Sequence, residues 1–278
     1  IDRNHCIIGE TEHPFTINFS RDDVRITTNY QEDLVASSLY SVVHEGGHAL
    51  YELHVGRELS RTCLGGGVSM AIHESQSRFY ENIIGRSRAF CGVIYPWLRE
   101  HFAPRLDDVS QDAFYRMINK VQPSLIRTEA DELTYCLHIM VRYELEKRMF
   151  AGELTAHDLP AEWNRLYKAY LGVDVPNDRE GVLQDSHWAN GNIGYFPSYA
   201  IGSAYGAQYL LEMQKDFDVF EAVRSGKLTK INGWMEEKIW KYGCMKDPTP
   251  LFESVCGKFD PTRYTAYLRE KLTEVYGL

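Results

Sequence analysis

The stretch that most constrains this chain is His44-Glu45-Gly46-Gly47-His48, because it lies inside a predicted helix. Apolar residues recur at helical spacing on both sides of it and predict one helix over about residues 33–55. Histidines four apart on a helix share a face, so both imidazoles can reach a single metal ion. Glu45 lies one step round that helix, where it can act as a general base without binding the metal. The motif therefore predicts a hydrolytic metal site.

Gly46 and Gly47 break the helical pattern, since a glycine inside a helix costs about 1 kcal/mol relative to alanine. Breaks of this kind occur at functional sites or where a second backbone approaches closely. We expect one of these two reasons to apply here.

The third metal ligand has two candidates. A catalytic zinc usually takes three protein ligands and keeps a fourth position for water or substrate. We expect Glu74 to be the third ligand, because the stretch after His48 suits a loop followed by a second helix that returns past the metal. His73 is the alternative ligand, and an ordinary surface glutamate is the alternative explanation of Glu74. If Glu74 binds, we expect His73 to orient it or the substrate.

Residues 173–203 combine Pro, Gly, Asn and aromatic residues and lose helical periodicity, which is typical of a functional segment. In hydrolysis by such a site, Glu45 takes a proton from metal-activated water and passes it to the leaving amine. The tetrahedral intermediate needs a further hydrogen-bond donor, and His187, Tyr195 and Tyr199 are candidates. Packing in the core explains each of these aromatic side chains equally well.

Two arginines are candidates for binding a substrate carboxylate, which a planar guanidinium matches well. Arg25 lies on the second strand of a hairpin predicted over residues 13–30. Arg127 opens a long predicted helix that starts near residue 124. A structural ion pair is the alternative for each, and Asp131 is the expected partner of Arg127.

Composition argues against several classes of protein. The net charge is −9, without the basic stripe of a nucleic-acid binder. No apolar run is long enough to span a bilayer, and no secretion signal is visible near the start. The six cysteines have no C-x-x-C spacing and are expected to be reduced, as in a cytoplasmic protein. We therefore expect neither nucleic acid nor membrane as a partner.

Helical periodicity predominates outside the hairpin, with helix starts predicted at Ser110, Asp158 and Asp260 and a stop at Gly172. No repeat, low-complexity tract or linker is visible. We predict a mainly α fold with a small β-hairpin or sheet beside the metal helix, in a single catalytic domain over residues 1–278. The chain begins with Ile1 rather than Met, which suggests that it is cut from a longer protein.

Six ordered motifs, besides the one at His44–His48, make the chain resemble the Taq-type (thermostable) metallocarboxypeptidases over essentially its whole length. They are His13-Pro14-Phe15, Asp23-Val24-Arg25-Ile26-Thr27, His73-Glu74-Ser75-Gln76, Ile126-Arg127-Thr128-Glu129-Ala130-Asp131-Glu132, Gly181-Val182-Leu183-Gln184-Asp185-Ser186-His187-Trp188 and Gly194-Tyr195-Phe196-Pro197-Ser198-Tyr199.

The resemblance implies a helical, zincin-like metallopeptidase that is cytosolic, usually homodimeric, and removes single residues from peptides that have a free C-terminal carboxylate. Zinc, or alternatively cobalt, would be bound by His44, His48 and Glu74, with Glu45 as the base. The resemblance also implies transition-state roles for His187 and Tyr195. Substrate-binding roles follow in the same way for His13, Arg25, Arg127, Gln184 and Tyr199.

Members of that family are longer, and an N-terminal set of helices walls their cleft, so this chain is expected to be their C-terminal half. Faces that those helices normally cover would then be exposed. In the long helix predicted from about residue 124, the main apolar stripe is Leu133, Leu137, Met140 and Val141. The side chains off that stripe, which we expect to be exposed, are Tyr135, Cys136, Ile139 and Tyr143.

Two other functions fit the same residues. A zinc aminopeptidase or endopeptidase also uses a His-Glu-x-x-His motif with a later glutamate. An aminopeptidase would bind the substrate amine with a carboxylate cluster, where a carboxypeptidase uses arginine. A catalytically inactive peptide-binding fragment is the other alternative, although an intact Glu45 argues against a decayed site.

Overall fold

The computed structural model describes all 278 residues. They form two compact units, the first from residues 1–118 and 202–278 and the second from residues 119–201. The strands are β1 Cys6–Glu10, β2 Thr16–Ser20 and β3 Asp23–Thr28. The helices are α1 Val35–Leu53, α2 Met70–Arg78, α3 Arg88–His101, α4 Gln111–Ile118, α5 Tyr135–Phe150, α6 Leu159–Leu171, α7 Pro197–Asp216, α8 Val219–Arg224, α9 Leu228–Lys238, α10 Pro248–Cys256 and α11 Pro261–Tyr276. None of them combines the length and the apolar character that crossing a membrane requires. The predicted mainly α fold with a small sheet is confirmed.

The sheet of the first unit has the strand order β1-β3-β2. β2 and β3 form the predicted antiparallel hairpin, and β1 pairs with β3 in parallel, which the sequence pattern did not predict. Val24 and Ile26 of β3 are buried in a cluster with Ala49 of α1. The apolar side chains of β2 behave differently, since Ile17 and Phe19 are exposed. The sheet therefore lies on the metal helix through β3.

α1 and α2 pass unusually close to each other at Gly47. A Cβ on Gly47 would lie 2.6 Å from the Ser77 Cα and 2.8 Å from the Gln76 carbonyl oxygen. At the other side of α2, a Cβ on Gly202 of α7 would lie 2.5 Å from the Glu74 Cβ. Only glycine allows these backbone approaches. The close approach of the α1 and α2 backbones therefore explains the glycine at position 47, as one of the two predicted reasons.

Three predicted helix ends are confirmed by their capping contacts. The Ala113 N–H donates to Ser110 Oγ at 3.1 Å at the start of α4. The Thr262 N–H donates to the Asp260 carboxylate at 3.0 Å at the start of α11. Gly172 ends α6 in the left-handed conformation, with φ of 73°. These ends follow from local side-chain chemistry, as sequence reasoning assumes.

The helix predicted from residue 124 begins only at Tyr135, so that prediction is wrong by about ten residues. Asp131 explains the late start, because its carboxylate accepts hydrogen bonds from the N–H groups of Leu133 and Thr134, at 2.9 and 3.0 Å. A carboxylate that binds these N–H groups favours a helix start at this point. Asp131 is therefore a capping residue, and it is not the partner of Arg127.

The exposed face expected on this helix is also partly wrong. Tyr135 and Ile139 are buried in a cluster with Phe196, in the second unit. Tyr143 is exposed as expected, together with Met140 from the predicted inner stripe. Apolar spacing alone does not tell which face of a helix meets the core, and this is why the buried and exposed faces were assigned wrongly.

The irregular segment of the second unit runs from Gly172 to Phe196, after which α7 begins at Pro197. The buried carboxylate of Glu146 in α5 anchors it. Glu146 Oε1 accepts hydrogen bonds from Trp188 Nε1 at 3.0 Å and from the Gly194 N–H at 2.9 Å. One side chain of the helix thus fixes two points of a segment that has no secondary structure of its own.

Candidate functional site

The predicted metal ligands lie together in the first unit. His44 and His48 project from one face of α1, and Glu74 projects from α2. His44 Nε2 lies 3.7 Å from Glu74 Oε2, and His48 Nε2 lies 3.9 Å from Glu74 Oε1. Ligand atoms of all three residues lie within 4.8 Å of one another. Two ligands at about 2.1 Å from one tetrahedral zinc are about 3.4 Å apart, so this donor set fits a single ion.

His73, the alternative third ligand, contacts His48 instead of joining the ligand group. Its Nδ1 lies 3.2 Å from His48 Nδ1, and its Nε2 lies 2.6 Å from Glu52 Oε1. Burial raises the pKa of Glu52, but hydrogen bonds from His73 and from the Gly67 N–H outweigh burial and lower that pKa below its usual value. Glu52 is therefore an ionised carboxylate behind His48, a predicted metal ligand.

Glu81 contacts the other histidine, His44, in the same way. Its Oε2 lies 2.8 Å from His44 Nδ1, and Arg78 and Arg86 lie 3.5 and 3.4 Å from the same carboxylate. Burial raises the pKa of Glu81, but Arg78 and the contact with His44 lower it far below its usual range. Burial lowers the pKa of His44, and Glu81 more than reverses that effect.

Glu45, the predicted base, is hydrogen-bonded to a residue of the sheet. Thr16 Oγ1 of β2 donates a hydrogen bond to Glu45 Oε2 at 2.5 Å. Glu45 is buried, and burial raises the pKa of its carboxyl above the usual value, against the lowering effect of His44 and Thr16. A carboxylate with a raised pKa is a stronger proton acceptor, as a general base requires.

Most of the remaining predicted site residues lie in the second unit, around the buried side chain of Arg127. Arg127 Nη2 and Nε donate to Asp185 Oδ1 at 2.7 and 2.9 Å. Arg142 Nε donates to the other oxygen of Asp185 at 2.6 Å. Burial raises the pKa of Asp185, but Arg142 and Arg127 together lower it to about 2. Two guanidinium groups thus share a single carboxylate.

Gln184 supports both arginines. Its Oε1 accepts hydrogen bonds from the Arg127 N–H and from Arg142 Nη2, each at 2.9 Å. Its amide nitrogen donates to the carbonyl oxygens of Leu125 and Glu180, at 3.0 and 2.9 Å. The side chain is fully hydrogen-bonded within the chain, which indicates that it holds Arg127 in place.

His187, Tyr195 and Tyr199 lie beside Arg127. His187 Nε2 lies 2.9 Å from the Tyr199 hydroxyl, and the His187 and Tyr195 ring centroids are 5.2 Å apart. The guanidinium carbon of Arg127 lies 4.7 Å from the centre of the Tyr199 ring. The irregular segment and the start of α7 thus bring the three predicted aromatic groups to one arginine.

Arg25 lies outside these clusters, and the His13 side chain forms no hydrogen bond or ion pair with them. Arg25 donates two hydrogen bonds to Asp23, at 2.9 and 3.0 Å, and is exposed to solvent. Strand alternation places it on the face of β3 opposite Val24 and Ile26, so the structure does not bring it to the metal ligands. His13 is exposed, and its charge opposes the effect of burial, which raises the pKa of Glu45.

Sequence reasoning missed Thr16, Glu52 and Glu81. Glu52 follows His48 by four residues, and Glu81 follows Glu74 by seven, so both share a helical face with a ligand. That spacing was visible in the sequence and is the signal that would have found them. Thr16 gave no such signal, because its contact with Glu45 depends on how the sheet lies against α1.

Known proteins resemble this chain over nearly its whole length. The model of the family "Carboxypeptidase Taq (M32) metallopeptidase" matches residues 1–272. Carboxypeptidase 1 of Bacillus subtilis is 44% identical over 271 residues, which cover 97% of this chain and 54% of that protein. Thermostable carboxypeptidase 1 of Thermus thermophilus is 43% identical over 272 residues, which cover 97% of this chain and 53% of that protein.

A crystal structure of an M32 carboxypeptidase from Deinococcus radiodurans has a TM-score of 0.96 to this chain at 40% identity, covering 100% of this chain and 56% of that one. The chain spans about half the length of the curated relatives that it matches. Because the family model and these relatives extend over nearly the whole sequence, the chain belongs to the carboxypeptidase Taq (M32) metallopeptidase family.

Proposed function

We propose that this chain provides the catalytic part of a metal-dependent carboxypeptidase, which hydrolyses the C-terminal peptide bond of peptides. The observation that carries the proposal is the convergence of His44, His48 and Glu74, with Glu45 one helical step away. Family membership supports the choice of carboxypeptidase over aminopeptidase or endopeptidase, since the curated relatives are named carboxypeptidases.

The ion of this proposal is zinc, with cobalt as the alternative, held by His44, His48 and Glu74. Two imidazoles and one carboxylate are a common donor set for catalytic zinc. When bound, such an ion supplies Lewis acidity to a water molecule and to the scissile carbonyl. On the side of the chain, Glu81 contacts His44 and His73 contacts His48.

Glu45 is the general base of the proposal. The Thr16 hydroxyl fixes its carboxylate, and burial raises its pKa, so it is suited to take a proton from the attacking water. The protonated carboxyl then gives that proton to the leaving amine, as a general acid. One residue therefore serves both proton transfers.

Arg127 is the proposed partner of the substrate's C-terminal carboxylate. Two buried guanidinium groups share one carboxylate in its cluster, and the resulting excess of positive charge favours a further anion. Gln184 keeps Arg127 in position, while His187, Tyr195 and Tyr199 are proposed as donors to the substrate or to the oxyanion. Arg25 and His13 are proposed as substrate-binding residues only because they match the family motifs.

A cytoplasmic location and a homodimer are further parts of the proposal, and both rest on the family resemblance. The six cysteines are free, which agrees with a reducing compartment. Analytical ultracentrifugation of the chain would measure the dimer directly.

The proposed activity is tested with a set of peptides that carry either a free or an amidated C-terminus, in the presence of zinc. We expect single residues to be removed from the free C-terminus, and cleavage of the amidated peptides to be slower by about two orders of magnitude, because a charge pair is lost. Mass spectrometry of the products distinguishes the alternatives. Shortening from the N-terminus indicates an aminopeptidase, internal cuts indicate an endopeptidase, and intact peptides with a metal-loaded chain indicate an inactive peptide-binding fragment.

A further inference from the structure

A line of hydrogen-bonded side chains lies behind His48. His48 Nε2 is on the side of Glu74, whereas His48 Nδ1 lies 3.2 Å from His73 Nδ1. The other ring nitrogen of His73, Nε2, lies 2.6 Å from Glu52 Oε1. The side chains of His73 and Glu52 are 12% and 7% exposed, so solvent has little access to these contacts.

The N–H in the contact between His73 and Glu52 belongs to the histidine. Glu52 accepts hydrogen bonds from the Gly67 N–H at 2.9 Å and from Asn18 Nδ2 at 2.8 Å. An ionised carboxylate has no proton to donate, so it accepts from His73 as well. His73 Nε2 therefore carries the hydrogen. Gly67 contributes in a second way, because a Cβ there would overlap the His73 ring.

The hydrogen on His73 Nε2 then determines which ring nitrogen of His48 carries a hydrogen. A neutral imidazole has one N–H, so His73 Nδ1 is an acceptor when Nε2 carries the hydrogen. Its neighbour, His48 Nδ1, must then be the donor. His48 Nε2 is left with a free lone pair, which is the form that binds a metal ion.

We propose that Glu52 and His73 are positioning residues that fix the Nδ1–H tautomer of His48 and so hold its Nε2 ready for the metal. The inference rests on the metal site of the proposed function. It assigns His73 a role towards His48, in place of the expected role towards Glu74 or the substrate. The second ligand is fixed more directly, since Glu81 contacts His44 Nδ1 without an intermediate histidine.

The test is Glu52→Gln in the full chain, because glutamine has the same size but its amide both donates and accepts. His73 is then no longer obliged to carry its hydrogen on Nε2, and the tautomer of His48 is no longer determined. We expect the affinity for Zn²⁺, measured by competition with a chromogenic chelator, to fall by about 10- to 100-fold. The matched control is Glu58→Gln at an exposed glutamate, which should leave the affinity unchanged.

A second measurement reports the tautomer of His48 directly. The ¹⁵N chemical shifts of His48 in the metal-free wild-type chain should report an Nδ1–H tautomer, and those of the Glu52→Gln variant a mixture of both tautomers. An Nε2–H tautomer in the wild type, or unchanged affinity and tautomer in Glu52→Gln, would overturn the proposal. His48→Ala separates this result from a failure of the metal site, since Zn²⁺ binding equal to wild type in that variant rejects the site itself.

Discussion

Gly47 of α1 lies directly against Ser77 of α2, with space for no side-chain atom between their backbones. This approach brings Glu74, one turn before Ser77, towards the histidines on either side of Gly47. The two glycines in the motif are thus not equivalent. A Cβ on Gly46 would meet only Ile1 Cδ1, at an ordinary contact distance of 3.5 Å.

We therefore expect Gly47→Ala and Gly46→Ala to differ in their effect on the free energy of unfolding. Alanine at position 47 overlaps the backbone of α2 and should destabilise the fold by about 1–3 kcal/mol, as overpacking does. Alanine at position 46 should be neutral or stabilise by up to about 1 kcal/mol, because it favours the helix. Chemical denaturation of both variants measures the free energy of unfolding. Equal stabilities would contradict the assigned approach of the two helices.

The grouping of the three proposed metal ligands was predictable from the sequence because their geometry is local. His44 and His48 share a helical face by spacing alone, and Glu74 follows on a second helix whose return is short. The same argument places Glu45 without any knowledge of the tertiary fold. Local periodicity therefore determined the most specific part of the site.

The surroundings of Arg127 were not predictable in this way. Its partner Asp185 is distant in sequence and lies in a segment without helical or strand periodicity. Helical spacing indicates Asp131 as the partner, but its carboxylate binds the turn that precedes α5, and no continuous α-helix connects it to Arg127. Long-range ion pairs depend on the packing of several elements, which periodicity does not encode.

Glu45→Gln should retain the metal and lose turnover, because Glu45 lies beside the ligands and is held by Thr16. Removing a general base typically reduces the rate by about 10²- to 10⁴-fold. Zinc content by atomic spectroscopy and peptide turnover are measured on the same sample. Thr16→Val is the matched comparison, since it leaves the carboxylate in place but removes its hydroxyl partner, and should cause a smaller rate loss. Loss of zinc in Glu45→Gln would show that Glu45 is a ligand.

Glu74→Ala should bind zinc much more weakly than the wild type, because it removes one of the three proposed ligands. Equilibrium dialysis against Zn²⁺ measures the loss. Glu153→Ala, at an exposed glutamate that forms no ion pair, serves as the control and should bind like the wild type. Wild-type zinc occupancy in Glu74→Ala would require a different third ligand.

Asp185→Asn should destabilise the chain strongly, because it leaves the guanidinium groups of Arg127 and Arg142 buried without a counter-charge. Breaking a buried pair of this kind typically costs about 3–5 kcal/mol. Asp23→Asn provides the comparison, since its pair with Arg25 is exposed and should affect stability little. Urea denaturation at neutral pH measures both variants. Similar effects of the two substitutions would mean that the Asp185 pair contributes no more than a surface pair.

His138 should make the stability of the chain depend on pH below neutrality. It is fully buried in α5, and burial, with the positive charges of Arg142 and Arg127, lowers its pKa from 6.5 to about 3. Between these two values the unfolded chain binds a proton that the folded chain does not, so stability is lost as the pH falls from 6.5 towards 3. The loss should be about 2 kcal/mol between roughly pH 6.5 and 5.

His138→Gln removes this titration, and its unfolding free energy should therefore fall less steeply over the same pH range. The comparison of the two slopes, by denaturation at a series of pH values, separates His138 from the carboxylates that titrate in both chains. The Tyr167 hydroxyl, 3.0 Å from His138 Nδ1, keeps a possible hydrogen-bond partner in the glutamine amide, so the substitution changes the charge more than the packing. Parallel slopes for the two chains would show that His138 is protonated in the folded state as readily as in the unfolded one.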